Sequence, residues 1–312
     1  MSLWKLLEIK IQPDVLFYLG PIPVTNTLIG TWITIITLLV LFYLGSRRRD
    51  MIPRGAQNFV EWIVELLLGL VESVSGKEKG KKFFPLVATF FIFILFCNLL
   101  DVIPGVDTIG SLDYTQIHAA GITSQPVLGF LLFGDLSNKF VPWLRPATSD
   151  LNLNVSMSLI AVITAQSFGF YTLGPAEHLS KFFNFGTFFR SVRKLDFLGM
   201  FQGFVEFFVG LIELIGEAAR IISLAFRLFG NIFAGAAVLA VFAYILPFAA
   251  ALVFIPFELF VGFVQALVFS LLSLVYLEIA TTGHPHDETE QEAHAEYEDS
   301  EAKKVAATHS SH

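Results

Sequence analysis

The chain has 312 residues, 54% of them hydrophobic and 34 of them phenylalanine, with a mean hydropathy of +0.68 and a formal net charge of −7. Soluble globular proteins are typically about 45–50% apolar, so this composition excludes a soluble enzyme or binding module and points to an all-α, polytopic membrane protein. The negative charge comes largely from the C-terminal tail and carries little information about partners.

Residues 1–23 are mixed polar and apolar, with Pro13, Pro21 and Pro23, and read as an outward-facing, exposed or interfacial segment. They hold no continuous apolar core, so no cleaved signal is expected. Residues 24–44 are uncharged and long enough to span a bilayer. Arg47, Arg48, Arg49 and Arg54 follow at once, which places that loop on the cytoplasmic side. Residues 56–75 carry Gln57, Glu61, Glu65 and Glu72 opposite Phe59, Ile63, Leu66, Leu67, Leu70 and Val74. This pattern predicts an amphipathic helix on the membrane surface or the bundle's cytoplasmic rim. Lys77, Lys79, Lys81 and Lys82 keep the next loop cytoplasmic.

Residues 83–103 form the second span, which holds the single cysteine, Cys97, read as a buried structural thiol. The loop 104–149 is rich in Gly and Pro and has only Lys139 and Arg145 as bases, so it is assigned outside, with room for a small surface element. Residues 150–173 cross back. Lys181, Arg190, Arg193 and Lys194 mark 174–199 as cytoplasmic. Residues 200–245 and 248–282 are two long apolar helices joined at Leu246-Pro247. The first would run roughly 68 Å if straight, so it must tilt, bend or leave the membrane. Gly210, Gly216, Gly230 and Gly235 are candidate bends or close-packing points. The tail 283–312 is acidic, with scattered histidines in no metal-ligand spacing, and reads as a disordered cytoplasmic tail.

Charged residues inside these spans are costly. An arginine at mid-bilayer costs about 2.5–3.5 kcal/mol on the insertion scale, and it keeps its charge at any physiological pH. Glu206, Glu213, Arg220 and Arg227 lie seven apart and form one helical stripe, flanked by Glu217 and Asn231. Arg220 has Glu213 or Glu217 to pair with. Arg227 has no acid three or four residues away, where Ser223, Leu224, Gly230 and Asn231 stand. It therefore reads as a residue kept for its charge, facing a protein partner or a wet cavity. Glu258 and Gln265 share a face of the last helix, and Gln265 either bonds across helices or lines a path. Asn98, Asp101, Asp150 and Asn152 sit at outer helix ends, where they either cap helices or line a water path. No nucleophile–base pair, phosphate-binding glycine loop or His/Cys metal cluster occurs, so an enzyme with its own active site is disfavoured, and no cofactor is expected.

Arg227 to Gly235 (RLFGNIFAG), with Glu213 upstream and Phe263-Val264-Gln265-Ala266 through Val275-Tyr276-Leu277 downstream, resembles subunit a of the F-type ATP synthase. Asn98-Leu99-Leu100-Asp101 with Pro104, and Asp150-Leu151-Asn152 with Ser156-Met157, extend the likeness over most of residues 25–282. The resemblance implies a non-catalytic stator subunit of a bacterial plasma membrane, working with a ring of c subunits and with b subunits in the F1F0 complex. It implies no nucleic-acid partner. Protons would pass through two offset half-channels to the ring. Arg227 would gate the ring carboxylate, and Glu213 would line the cytoplasmic half-channel. Asn231, Glu258 and Gln265 would line the outer one, with Asn98, Asp101, Asp150 and Asn152 near its mouth. Ala236 stands where the family often has an ionisable residue, leaving Glu258 as the acid of that path. The alternatives are a self-contained channel or secondary transporter, for which no inverted repeat is seen, or a scaffold with a buried polar network.

Overall fold

The computed structural model describes residues 12–47, 55–103, 106, 110–112, 140–175, 178, 197–245 and 247–282. In chain order the elements are β1 (Val15–Leu19), β2 (Ile22–Thr25), α1 (Asn26–Arg47), α2 (Ala56–Asp101), β3 (Gly110–Leu112), β4 (Phe140–Pro142), a 3-10 turn (Ala147–Ser149), α3 (Leu151–Leu173), α4 (Phe197–Ile245) and α5 (Pro247–Thr281). Among the described residues five helices are long and apolar enough to cross a membrane. The protein is an all-α, polytopic membrane protein with two small two-stranded ladders.

The burial pattern is that of a membrane protein. On α1 the buried residues are Asn26, Thr27, Gly30, Thr34 and Gly45, while Ile36, Leu39, Val40 and Tyr43 are exposed. Small and polar groups face protein, where backbones can approach, and large apolar groups face what would be lipid. Hydroxyls on the helices satisfy themselves locally: Thr34, Ser270 and Ser273 each donate to the carbonyl four residues earlier.

The chain clusters into two compact units, Met1–Val162 with Glu217–Leu274, and Ile163–Gly216 with Val275–His312. In the first, β1 and β2 form an antiparallel ladder with Tyr18 opposite Pro23 and Leu19 opposite Ile22. Gly20 takes φ 67° at the turn. The predicted 1–23 segment is thus partly ordered as a hairpin, and residues 1–11 lie outside the described set. The first span begins at Asn26 rather than at 24, because Thr25 is the last strand residue and its hydroxyl accepts from the Leu28 N–H as an N-cap.

Helix α2 joins the predicted amphipathic helix 56–75 and the predicted span 83–103, and Gly76 breaks it with φ 72°, ψ 170°. The limbs meet again beyond the break, where a Cβ at Gly80 would lie 3.2 Å from the Glu72 Cα. Leu67 and Val71 on one limb and Phe83 and Val87 on the other are buried. Phe59, Leu66 and Val74, on the same apolar face as Leu67, are exposed. The apolar face of the first limb is therefore covered along one edge only.

The other boundaries shift by a few residues. The 83–103 span ends at Asp101, the 150–173 span starts at Leu151, and the last two helices are Phe197–Ile245 and Pro247–Thr281. The former runs unbroken through Gly210, Gly216, Gly230 and Gly235. The loop 104–149 does hold a small element, β3 paired with β4 (Gly110 opposite Pro142). The tail 283–312 and most of 174–196 lie outside the described residues.

Helices α4 and α5 pack as an antiparallel pair in the first unit, with the Phe242 and Phe254 rings 4.8 Å apart. Against α2, α5 sets Phe269 edge-on to Phe90 and Phe263 edge-on to Phe91. Gly30 of α1 lies so close to the Arg145 carbonyl that a Cβ there would collide with it. In the second unit Gly174 (φ 86°) ends α3, and the chain folds back to bury His178. The His178 Nε2 is 2.7 Å from the Gln166 Oε1 and its ring lies against Phe170.

Candidate functional site

Three helices converge on a cavity of about 250 Å³ in the first unit. Helix α2 supplies Asn98 and Asp101, one turn apart at its end. Helix α4 supplies Asn231, Ala234, Gly235 and Val238, and α5 supplies Phe254, Phe257, Glu258, Val261 and Gly262. Both sets follow the i, i+3, i+4, i+7 spacing that puts residues on one helical face. The wall is mostly apolar, with two carboxylates and two amides set into it. Such a wall stabilises few charges.

Each polar group is placed by a specific contact. The Asn98 Nδ2 donates to the Gly262 carbonyl at 3.1 Å, and its Oδ1 accepts from the Thr148 hydroxyl at 3.3 Å. Asn98 is therefore neither a simple helix cap nor a freely solvated group. Asp101 is the last residue of α2 and is half-buried. The half-buried Glu258 faces Gly235, where a Cβ would sit 3.2 Å from the Glu258 Oε1. The absent side chain at 235 leaves the carboxylate its space.

Arg227 lies on the same row of α4 as Asn231 and Gly235, at four-residue steps. Its neighbours Leu224, Ala225 and Leu228 are buried, whereas Arg227 is exposed. Among the described residues it forms no salt bridge. Arg220, by contrast, pairs with Glu217, one of its two expected acids. Glu213 is half-buried, fourteen positions before Arg227 on the same helix.

Of the nine predicted site residues, the cavity brings together Asn98, Asp101, Asn231 and Glu258. Arg227, Glu213 and Gln265 do not line it. Gln265 is 8% exposed, and its Nε2 has no hydrogen-bond partner among the described residues. Asp150 and Asn152 do not line it either. The Asp150 Oδ1 accepts from the Asn152 N–H at 2.9 Å, the N-cap geometry, and its Oδ2 accepts from the Thr27 hydroxyl at 3.1 Å. Sequence reasoning passed over Thr148 and Gly262, which hold Asn98, and Phe254 and Phe257, which form the apolar wall. Gly262 carried a signal, since it stands one turn after Glu258 on its face; Thr148, in an aperiodic loop, carried none. Among the described residues no group of three or more His, Cys, Asp or Glu is arranged to hold a metal ion.

The family model for the ATP synthase A chain matches residues 28–278. The chain is 31% identical over 274 residues to ATP synthase subunit a of Moorella thermoacetica, covering 88% of this chain and 99% of that one. It is 31% identical over 268 residues to subunit a of Mycobacterium marinum, covering 84% and 89%. It is also 31% identical over 262 residues to the sodium ion specific subunit a of Propionigenium modestum, covering 82% and 74%. The match takes in every residue of the cavity and Arg227 with them, and on that footing the chain belongs to the ATP synthase A chain family, a membrane subunit of the ion-carrying F0 sector rather than of its catalytic part.

Proposed function

We propose that this protein is the stator of an F0 proton channel in a bacterial plasma membrane, and that it offers two offset half-channels to a rotating ring of c subunits. The observation that carries this reading is Arg227: a permanent cation, exposed on a membrane-spanning helix, with no salt bridge to any described residue. In lipid such a group is unfavourable, so its exposed face is meant for a partner, and a buried ring carboxylate supplies the missing charge. A fixed cation favours the ionised form of a nearby carboxylate. A ring carboxylate arriving at Arg227 therefore releases its proton and takes up another once it has moved on.

The cavity with Asn231, Asp101 and Glu258 is assigned to the outer half-channel, with Gln265 one further stretch along α5. Glu213 is assigned to the cytoplasmic one. Protons do not pass Arg227 directly, so the two paths are joined only by ring rotation. The membrane potential supplies about 2.3 kcal/mol per charge per 100 mV, which this arrangement turns into lateral motion and hence ATP synthesis. The N-terminus is assigned outside and the tail inside. Of the 20 Lys and Arg, the three loops read as cytoplasmic hold 12 and the outer loop two. The b subunits are the proposed static partners.

The test is Arg227→Ala in inverted membrane vesicles, reading ATP-driven proton pumping and, after F1 is stripped, passive leak. The expected outcome is loss of pumping in an assembled complex with leak maintained or increased. Pumping near the normal rate would falsify the gate and return the chain to a transporter or scaffold.

A further inference from the structure

Asn98 ties the cavity to the segment that precedes α3. Its hydrogen bonds have one self-consistent direction. A carbonyl only accepts, so the amide nitrogen faces Gly262, and the amide oxygen is left to accept from the Thr148 hydroxyl. Asn98 is 7% exposed and Thr148 is fully buried, so water does not readily replace either bond.

Thr148 is itself held. It sits in the 3-10 turn Ala147–Ser149, and its carbonyl accepts from the Nδ2 of the buried Asn154, on α3, at 2.8 Å. The turn is thus anchored to α3 and passes that anchor to α2 through Asn98 and to α5 through Gly262. Gly262 lies one helical turn beyond Glu258. A Cβ there would come within 2.9 Å of the Asn98 Cβ, so α2 and α5 approach here as closely as a residue without a side chain allows.

We propose that Thr148 is a positioning residue for proton transfer at Glu258. The relay from Thr148 through Asn98 to Gly262 fixes the turn of α5 from which the Glu258 carboxylate meets the cavity. This rests on the reading of Glu258 as an acid of the outer path. No proton travels the relay: the oxygen and one N–H of the Asn98 amide are committed, and the amide serves as a fixed dipole. Without the Thr148 hydroxyl the buried amide oxygen has no donor, and the bond to the Gly262 carbonyl alone holds the amide. Asn98 then shifts toward another donor, and the clamp on α5 loosens. Asp101 is the other titratable group on the cavity wall and stands three residues beyond Asn98. Movement of Asn98 therefore also alters the spacing of the two acids.

The test uses the complete F1F0 complex in inverted vesicles and follows ATP-driven acidification over a range of interior pH. Thr148→Val, which keeps the shape and removes the hydroxyl, is expected to slow pumping roughly three- to tenfold and to move the pH at half-maximal rate. Thr148→Ser restores both. Gly262→Ala, which leaves Thr148 intact but presses on Asn98, reproduces the defect. A Thr148→Val complex with normal rate and midpoint overturns the assignment. So does one whose rate falls only in proportion to assembled complex with no midpoint shift. If Thr148→Val does not assemble, Gly262→Ala decides: a moved midpoint supports the relay and an unmoved one overturns it. Arg227→Ala in the same preparation separates the two readings. Pumping that survives it undoes the half-channel assignment itself; pumping lost there but normal in Thr148→Val undoes the positioning role alone.

Discussion

Glu258 and Gly235 form one unit: the carboxylate occupies the space that any side chain at 235 would take. If that carboxylate exchanges protons with the outer path, its ionisation and not its shape is what matters. Glu258→Gln preserves the shape and removes the ionisation. It is expected to lower ATP-driven pumping roughly a hundredfold, the scale of one general acid–base group, while the complex remains assembled in a native gel. Pumping unchanged in the glutamine variant takes Glu258 out of the path. The polar residues of this cavity were legible in the sequence because they stand inside apolar runs, where polarity needs a reason: Asn98, Asp101, Asn231 and Glu258 all stood out in that way. Asp150 and Asn152 stood out too, and here the Asp150 carboxylate caps α3 by accepting from the Asn152 N–H, a role that a linear sequence does not separate from lining a path.

At the scale of elements, the break at Gly76 is the clearest case of a backbone demanding its residue. Its φ of 72° with ψ of 170° belongs to a region essentially reserved for glycine. Gly76→Ala is expected to destabilise the subunit by about 1–3 kcal/mol, read as a lower temperature for its release from the purified complex. Gly69→Ala, in the same helix with open space around it, is expected to leave that temperature unchanged or raise it. Equal drops for the two would mean that the break tolerates an ordinary residue. The spans were legible from uninterrupted apolar length, and the break from the lysine-rich gap between an amphipathic pattern and an apolar one. The β1–β2 hairpin was not legible. Pro21 and Pro23 argue against a strand in general, yet a two-stranded ladder leaves outward-facing positions where a missing N–H does no harm.

At the scale of the whole molecule, the orientation proposed from basic residues makes a two-sided prediction. Lys81 and Trp143 are both exposed, on segments assigned to opposite faces of the membrane. With the buried Cys97 replaced by alanine, Lys81→Cys should react with a membrane-impermeant maleimide from the cytoplasmic face and Trp143→Cys only from the outer one. Labelling of both from the same face contradicts the topology.

The contact between Gly30 and the Arg145 carbonyl has an evolutionary corollary. A main-chain carbonyl is the same whatever residue carries it, so that contact restrains the chain's descendants on one side only. Position 30 must stay without a side chain, while position 145 is free to drift as far as this contact is concerned. Where Gly262 meets Asn98, the opposing atom is a side-chain carbon. There the restraint is mutual, and the two sites can change only as a pair, one growing as the other shrinks.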